Sequence, residues 1–308
     1  MQLNTTVFHR SAHLDEGRLE LSDTGCPFCN STSRKCVHTL QEKPVVKLLQ
    51  CRDCHAVSAS RMPSEQVLSE YYGGYYDSPN LKSADSQVTF DKPESLARNI
   101  AEIYCRSGVE GCVTVMDFGG GDGTIACLLA GILIEQGAEQ VSITVVDYHP
   151  STVEPDDPRI CIDSRDSLEQ VTSQYDIVIA SAVIEHYPRP GGLVQDLLGR
   201  MKPGAMFYAR TPCMAPIIRL FRLVGIKVDF SFPGHIHDLG QDFWENYFSG
   251  SQSETFQILA SRPSIVESSF KKHFLRTLLA ILLKMPWYLF GRHYKFVGGW
   301  EVFVRKNL

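Results

Sequence analysis

The segment from 111 to 212 alternates strand-like and helix-like stretches, and this alternation limits the possible folds more than any other feature of the chain. An apolar run over 113–117 leads into a glycine-rich turn, and helical composition follows over 124–134. Further runs typical of buried strands lie at 141–147, 159–163, 175–180 and 205–209. Strands that alternate with helices need crossover connections, which predicts a parallel sheet with helices on its faces. Ligands of such sheets bind beyond the carboxyl ends of the strands.

The turn after the first of these strands, residues 117–123, reads Asp-Phe-Gly-Gly-Gly-Asp-Gly. Gly119, Gly121 and Gly123 alternate along it, where a backbone can turn sharply and approach a ligand closely. The turn lacks the Lys-Ser/Thr of a phosphate-binding loop and the glycine spacing of a dinucleotide site. Asp147 ends the next strand, where an acid can accept hydrogen bonds from both hydroxyls of a ribose. These features together predict a nucleoside ligand; the alternative is a glycine turn and an ordinary acid at a strand end.

Several segments resemble the motifs of the class I S-adenosylmethionine-dependent methyltransferases. They are residues 115–123, 145–147, 162–164, 175–188 and 198–204. Ala205 stands where the family's LKPGG turn has its second glycine. The resemblance implies an α/β, Rossmann-like, doubly wound sheet of seven strands. It also implies that the last strand, over 298–305, is antiparallel and pairs with a strand near 264–270.

The resemblance implies S-adenosylmethionine as cofactor, with the glycine turn passing under its methionine and ribose parts. Asp117 would hold the methionine amino group, Asp147 the ribose and Asp163 the adenine amino group. Tyr148 would stack on the adenine, or would merely cover the edge of the sheet. Ser181 completes the predicted cofactor-binding set.

Glu185 and His186 follow the strand at 175–180, where the family holds the reacting methyl group. A hydroxyl acceptor must lose its proton as the new bond forms, and imidazole titrates near neutral pH. His186 is therefore a candidate base, with Glu185 beside it as the second candidate catalytic residue. The alternative is that the pair is structural and braces the loop or the cofactor.

Three further residues are predicted to lie near the acceptor. His235 and His237 are two positions apart, so on an extended segment they point the same way. They would contact a polar acceptor, bind a metal together with Asp238, or only form local structure before a helix. Tyr76 belongs to the tyrosine-rich segment 70–76, which by resemblance approaches the site; the alternative is packing between two units.

Two CxxC turns lie near the amino terminus, separated by 21 residues. Cys26 and Cys29 form the first turn, and Cys51 and Cys54 form the second. Four thiolates at this spacing fit a tetrahedral Zn²⁺ that has no open position for catalysis, which predicts a structural site. Redox chemistry is the alternative.

We therefore expect a zinc-ribbon-like unit over 1–62, a helical tyrosine-rich bridge over 63–110 and a methyltransferase domain over 111–308. A zinc unit ahead of such a domain resembles methyltransferases of sugar and polysaccharide gene clusters, which implies a saccharide or glycoconjugate acceptor. One alternative is a ribosomal RNA base methyltransferase whose zinc unit binds RNA, and another is a non-catalytic zinc scaffold. The formal net charge of −5 and the few Lys and Arg near the cysteines argue against nucleic acid as a partner.

The first twenty residues are polar, so we expect no secretion signal and a cytoplasmic protein. Residues 271–291 are apolar with basic flanks, which is typical of a peripheral contact with a membrane or a lipid-linked substrate. The alternatives are that this segment packs on the sheet or on a second subunit. The sequence makes no prediction of the oligomeric state.

Overall fold

The structure is a computed structural model that describes residues 2–4, 11–21, 24–73, 91–148, 152–250, 252–266 and 268–308. Its strands are β1 (Gln2–Asn4), β2 (Arg34–Glu42), β3 (Val45–Cys51), β4 (Val57–Ala59), β5 (Cys112–Phe118), β6 (Gln140–Val146), β7 (Ile160–Arg165), β8 (Tyr175–Ser181), β9 (Met201–Cys213), β10 (Lys227–Asp229), β11 (His237–Asp238), β12 (Phe256–Pro263) and β13 (Gly298–Lys306). Its helices are α1 (Glu65–Gly73), α2 (Pro93–Tyr104), α3 (Thr124–Glu135), α4 (Pro190–Gly199), α5 (Ala215–Leu223), α6 (Gln241–Ser249) and α7 (Phe274–Phe290).

Seven strands form the main sheet in the order β12-β13-β9-β8-β5-β6-β7. Strands β5, β6, β7, β8 and β9 run parallel to one another, and β13 runs antiparallel to both β9 and β12. The central strands are apolar on both faces because helices cover both sides. Helices α2 and α3 enclose one core, and α4 and α6 enclose the other. The predicted doubly wound α/β fold with an antiparallel last strand is confirmed.

The predicted partner of the last strand near 264–270 is wrong. The strand that pairs with β13 runs from Phe256, opposite Lys306, to Pro263, opposite Trp300. It lies at the edge of the sheet, and its Ser261 and Arg262 side chains bond to Trp300 and Glu301 of β13. These polar residues, which bond to the neighbouring strand, hide the alternation of apolar and polar positions by which a strand is recognised.

A smaller antiparallel sheet contains the cysteine pairs and has the order β11-β4-β3-β2. Its strand β11 comes from the carboxyl-terminal part of the chain, and His237 and Asp238 pair there with Ser58 and Val57 of β4. The amide of Ala59 also donates to the carbonyl of Ile236. The two parts of the molecule therefore share one sheet.

Candidate functional site

The glycine turn lies at the carboxyl end of β5 and tolerates no side chains at its closest contacts. Gly119, Gly121 and Gly123 have φ angles of 70°, 58° and 80°, in the left-handed region that glycine adopts without strain. A Cβ atom on Gly119 would lie 2.5 Å from Val183 Cγ2, and one on Gly120 would lie 2.5 Å from the Asp117 carboxyl group. The turn is thus packed against the end of β8.

Asp117 is the last polar residue of β5 and is only 2% exposed. Its Oδ2 atom is buried and has no hydrogen-bond partner among the described residues. Burial, and then the charges of Asp147 and Asp122, raise the pKa of this carboxyl group to about 7. A buried acceptor without a donor is costly, so the site is complete only when a donor reaches it. A ligand ammonium group has the charge and the hydrogens to do so.

Asp147 directly follows β6 and faces the same turn. Its Oδ2 accepts a hydrogen bond of 2.8 Å from the amide of Gly121, which ties the acid to the glycine turn. The amide of Gly119 donates to the carbonyl of Val146 at 2.9 Å. Tyr148 comes next and is 75% exposed, so it lies at the open edge of the sheet. Asp117 and Asp147 therefore both lie against the glycine turn, and Tyr148 follows Asp147 in the chain.

The structure places Asp163 inside β7 rather than at its end. Asp163 is level with Thr144 of β6 and forms an ion pair with Arg165 at 2.6 Å. The pairing of β6 with β7 continues to Val146 opposite Arg165. Asp166 is consequently the acid that follows the strand, on a level with Asp147. The apolar run of this strand ends at Ile162, three residues before the strand does, so the sequence predicted the strand end, and with it the acid, at Asp163.

Ser181 is the last residue of β8, and its Oγ accepts a hydrogen bond of 3.2 Å from Arg210 Nε. Ala182 follows with a φ of 56°, and the amide of Ala182 donates to the carbonyl of Arg210. This bend carries the chain into the turn Ile184–His186, beside the glycine turn. Ser181 therefore holds the bend in place.

His186 is held between two loops by both of its ring nitrogens. Nδ1 lies 2.6 Å from the carbonyl oxygen of Gly234, and Nε2 lies 3.1 Å from that of Ala182. Burial lowers the pKa of His186 to about 4, although the two carbonyl groups act in the opposite direction. A neutral imidazole donates only one hydrogen bond, and carbonyl groups only accept. Neither nitrogen points into open space, so this geometry favours the structural alternative for His186.

Four polar side chains lie together at the end of β8, and we call them the histidine cluster. They are those of Tyr72, Glu185, His186 and His235. Ligand atoms of Glu185, His186 and His235 lie within 4.8 Å of one another, and the two imidazoles stack with centroids 5.1 Å apart. The Tyr72 hydroxyl donates to the carbonyl of Gly234 at 3.2 Å. Tyr76 lies outside the described residues. Three separate segments of the chain thus bring polar side chains to the end of β8.

The structure separates His237 from His235. His237 is fully buried; its Nδ1 lies 2.9 Å from Ser58 Oγ and its Nε2 lies 2.8 Å from the carbonyl oxygen of Tyr187. Burial lowers the pKa of His237 to about 3. The Asp238 carboxylate accepts from the amides of Met214 and Ala215 and so caps α5. His237 and Asp238 therefore join the two parts of the molecule, while His235 stays in the histidine cluster.

The four cysteines of the CxxC turns come together. Their sulfur atoms all lie within 4.8 Å of one another. The Cys26 and Cys54 sulfurs are 3.5 Å apart, and those of Cys29 and Cys51 are 3.6 Å apart. Sulfur atoms of a tetrahedral zinc site with bonds of about 2.3 Å are about 3.8 Å apart. The donor set and its spacing suggest a metal ion held by four thiolates.

Residues 82–252 match the model of a family described as a methyltransferase domain, and this match spans more than half of the chain. The chain belongs to this methyltransferase family. It is an S-adenosylmethionine-dependent methyltransferase, and the unpaired buried oxygen of Asp117, the glycine turn and Asp147 fit that cofactor. The predicted enzyme class is confirmed.

Similar solved structures include methyltransferases with bound S-adenosyl-L-homocysteine. The N-methyltransferase NodS from Bradyrhizobium japonicum WM9 is 11% identical, with 78% of this chain and 97% of that chain covered and a TM-score of 0.44. Magnesium protoporphyrin IX methyltransferase from Synechocystis PCC 6803 is 14% identical, with 79% and 100% covered and a TM-score of 0.46. The plantazolicin methyltransferase BpumL is 13% identical, with 78% and 94% covered and a TM-score of 0.47. No curated protein matches this methyltransferase.

Proposed function

We propose that this methyltransferase acts on a saccharide or glycoconjugate and that its amino-terminal unit holds a structural Zn²⁺. The observation that carries the first proposal is the histidine cluster beside the glycine turn. Val183 packs on Gly119. Two members of the cluster, Glu185 and His186, lie two and three residues after Val183 in the chain. An acceptor bound next to the cofactor would therefore meet carboxylate, imidazole and phenol groups. Such groups form hydrogen bonds with the hydroxyls of a sugar.

The bound cofactor supplies a methyl group on a positively charged sulfur, so the protein mainly aligns the reactants. Asp117 would accept hydrogen bonds from the amino group of the cofactor, and Asp147 would accept from its ribose. For the adenine amino group, Asp166 is better placed than Asp163, because Asp163 is paired with Arg165 inside the strand. Tyr148 would cover the open edge.

If a hydroxyl is methylated, a base must take its proton during transfer. We assign this role to Glu185, which is 2% exposed and follows the bend at the end of β8. His186 would act as a positioning residue, because both of its nitrogens engage carbonyl groups. His235, stacked on His186, would contact the acceptor.

Glu185→Gln keeps the shape of the side chain and removes its ability to take a proton. Turnover should fall about 100-fold or more, while the affinity for S-adenosylmethionine measured by calorimetry stays within about twofold. Glu139→Gln is the matched control, since Glu139 is exposed and lies next to the amino end of β6. A fall in turnover below about threefold would remove Glu185 from the reaction.

The acceptor class is tested by incubating the protein with the cofactor and panels of saccharides, glycoconjugates and RNA. Mass spectrometry should find saccharide products heavier by one CH₂ group, and the Asp147→Ala variant should give none. Methylation of RNA alone would contradict the saccharide proposal and would leave the methyltransferase assignment intact.

The support for zinc is the closed set of four sulfurs, of which those of Cys26 and Cys51 belong to buried residues. A structural ion there would fix the CxxC turns relative to β3 and β4. Protein purified without added metal should contain about one Zn²⁺ per chain. A folded, metal-free sample with four reduced thiols would contradict the zinc proposal.

A further inference from the structure

Helix α7 presents most of its apolar side chains to the outside, and it is held to the domain by polar contacts and by Trp287, which packs on Trp300. Thr277 is buried, and its hydroxyl lies 2.8 Å from that of Ser268. Lys284 turns inward and donates to the carbonyl of Ser264 at 2.5 Å. The apolar residues of the helix that are 38% to 82% exposed are Phe274, Leu275, Leu279, Leu282, Leu283, Met285, Tyr288, Leu289 and Phe290. We call this set the apolar face.

The apolar face is far larger than the scattered exposed hydrophobic residues of ordinary surfaces. Helix α7 has 17 residues and is therefore about 25 Å long. Only 6% of its most apolar window is buried within the described part of the molecule. A contiguous apolar surface of this kind marks a binding site for another apolar body.

The topology excludes a helix that crosses a bilayer. Helix α7 connects β12 to β13, and these strands are paired, with Pro263 at the end of one opposite Trp300 near the start of the other. Both ends of the connection are thus anchored at the same place in the sheet. A spanning helix would need a non-helical return through hydrocarbon, where its backbone groups would have no partners. The helix must therefore lie along the surface of whatever it binds.

The charges around α7 favour a negatively charged partner surface. Residues 268–300 contain no Asp or Glu, in a chain whose net charge is −5. Basic side chains in this segment are Lys271, Lys272, Arg276, Lys284, Arg292 and Lys295. Three of them, Lys272, Arg292 and Lys295, pair with acids from other segments. Lys271 and Arg276 have no carboxylate partner within the described ranges. A second copy of the same face carries no carboxylate that could pair with these two charges.

We propose that α7 is a membrane-docking helix that lies in the headgroup region of a bilayer containing anionic lipid. The apolar face enters the boundary of the acyl chains, and Lys271 and Arg276 lie at the level of the headgroups. Tyr288, beside Trp287 at the carboxyl end of the helix, has the amphipathic ring typical of this boundary. The inward bonds of Thr277 and Lys284 keep the helix fixed to the domain while it binds.

The test is sedimentation of the full chain with vesicles of phosphatidylcholine alone or mixed with phosphatidylglycerol. Wild-type protein should bind the mixed vesicles, and binding should weaken in high salt because surface charges are screened. The double variant Leu282→Ser/Leu289→Ser should bind about 100-fold less, since each buried leucine contributes about tenfold or more to partitioning. The matched control is Leu220→Ser/Leu223→Ser, which changes two exposed leucines on α5.

The control should bind vesicles like the wild type, and all three proteins should show the same thermal midpoint because the substituted residues are exposed. The proposal fails if the wild type stays in the supernatant with both kinds of vesicle. It also fails if the α7 variant binds within about threefold of the wild type. A dimer that forms without lipid, is dissociated by Leu282→Ser/Leu289→Ser and ignores vesicles would assign the apolar face to self-association instead.

Discussion

The substitution Gly119→Ala tests whether the glycine turn is as tightly packed as its geometry indicates. Two separate effects act at this position. The backbone has a φ of 70°, where a residue with a side chain is strained by about 1–2 kcal/mol. The new methyl group would also lie 2.5 Å from Cγ2 and 2.7 Å from Cβ of Val183, and such overpacking costs about 1–3 kcal/mol. Together the two effects should lower the free energy of unfolding by about 2–5 kcal/mol.

Gly225→Ala separates the two effects. Gly225 has a φ of 72°, close to that of Gly119, and a Cβ atom there would meet nothing within 4 Å. It should lose only the backbone part, about 1–2 kcal/mol of unfolding free energy, and should bind S-adenosylmethionine like the wild type. Adding Val183→Ala to Gly119→Ala removes the two γ carbons that the new methyl group meets and should recover part of the difference.

Urea unfolding measures the stability of each variant, and calorimetry measures its affinity for the cofactor. Gly119→Ala should weaken cofactor binding at least about tenfold, because the turn can relieve the contact with Val183 only by moving. If Gly119→Ala is no less stable than Gly225→Ala and binds the cofactor within about twofold of the wild type, the turn does not hold the ligand as described.

Three further predictions concern other parts of the molecule. The pKa of Asp117, about 7 in the fold against 3.8, means that the folded apoprotein keeps a proton that the unfolded chain releases. The Asp117 carboxyl group should therefore lower the stability by up to about 4 kcal/mol as the pH rises from about 4 to about 7, and the difference in unfolding free energy between the wild type and Asp117→Asn should change by this amount in urea titrations. His237→Ala should lower the unfolding free energy by about 2–4 kcal/mol in the same assay, because it leaves buried polar partners and a cavity. Cys51→Ser should release bound zinc in metal analysis and lower turnover about tenfold or more, with cofactor affinity unchanged within about twofold.

The cofactor side of the site could be predicted because its signals are local. Residues 113–147 contain a strand, a turn, a helix and a second strand in one continuous stretch. Parallel neighbours end at the same edge of a sheet, so Asp117 and Asp147 must lie near each other once the strands pair. The glycines of the turn could be recognised as positions of left-handed backbone because glycine adopts that conformation without strain.

The acceptor side could not be predicted to the same depth because it depends on contacts between distant segments. The sequence identifies His186 and His235 as candidates, but it does not show which groups their ring nitrogens contact. Carbonyl groups of Ala182 and Gly234 engage both nitrogens of His186, and only the fold brings Gly234 there. The end of β7 could not be predicted for the same reason. Pairing with β6 extends that strand beyond Asp163 to Arg165.

The shared sheet explains why the four-cysteine unit should affect turnover more than cofactor binding. Strand β4 follows Cys54, and the amide of its Ala59 donates to the carbonyl of Ile236, whose own amide donates to the carbonyl of Glu185. A displacement of the CxxC turns would therefore pass directly into the histidine cluster. The glycine turn is fastened instead to Val146 and Asp147 within the main sheet. The histidine cluster thus has a direct backbone connection to the amino-terminal unit, whereas the glycine turn is linked to it through packing in the shared core. A metal ion in that unit would therefore stabilise the acceptor half of the site more than the cofactor half.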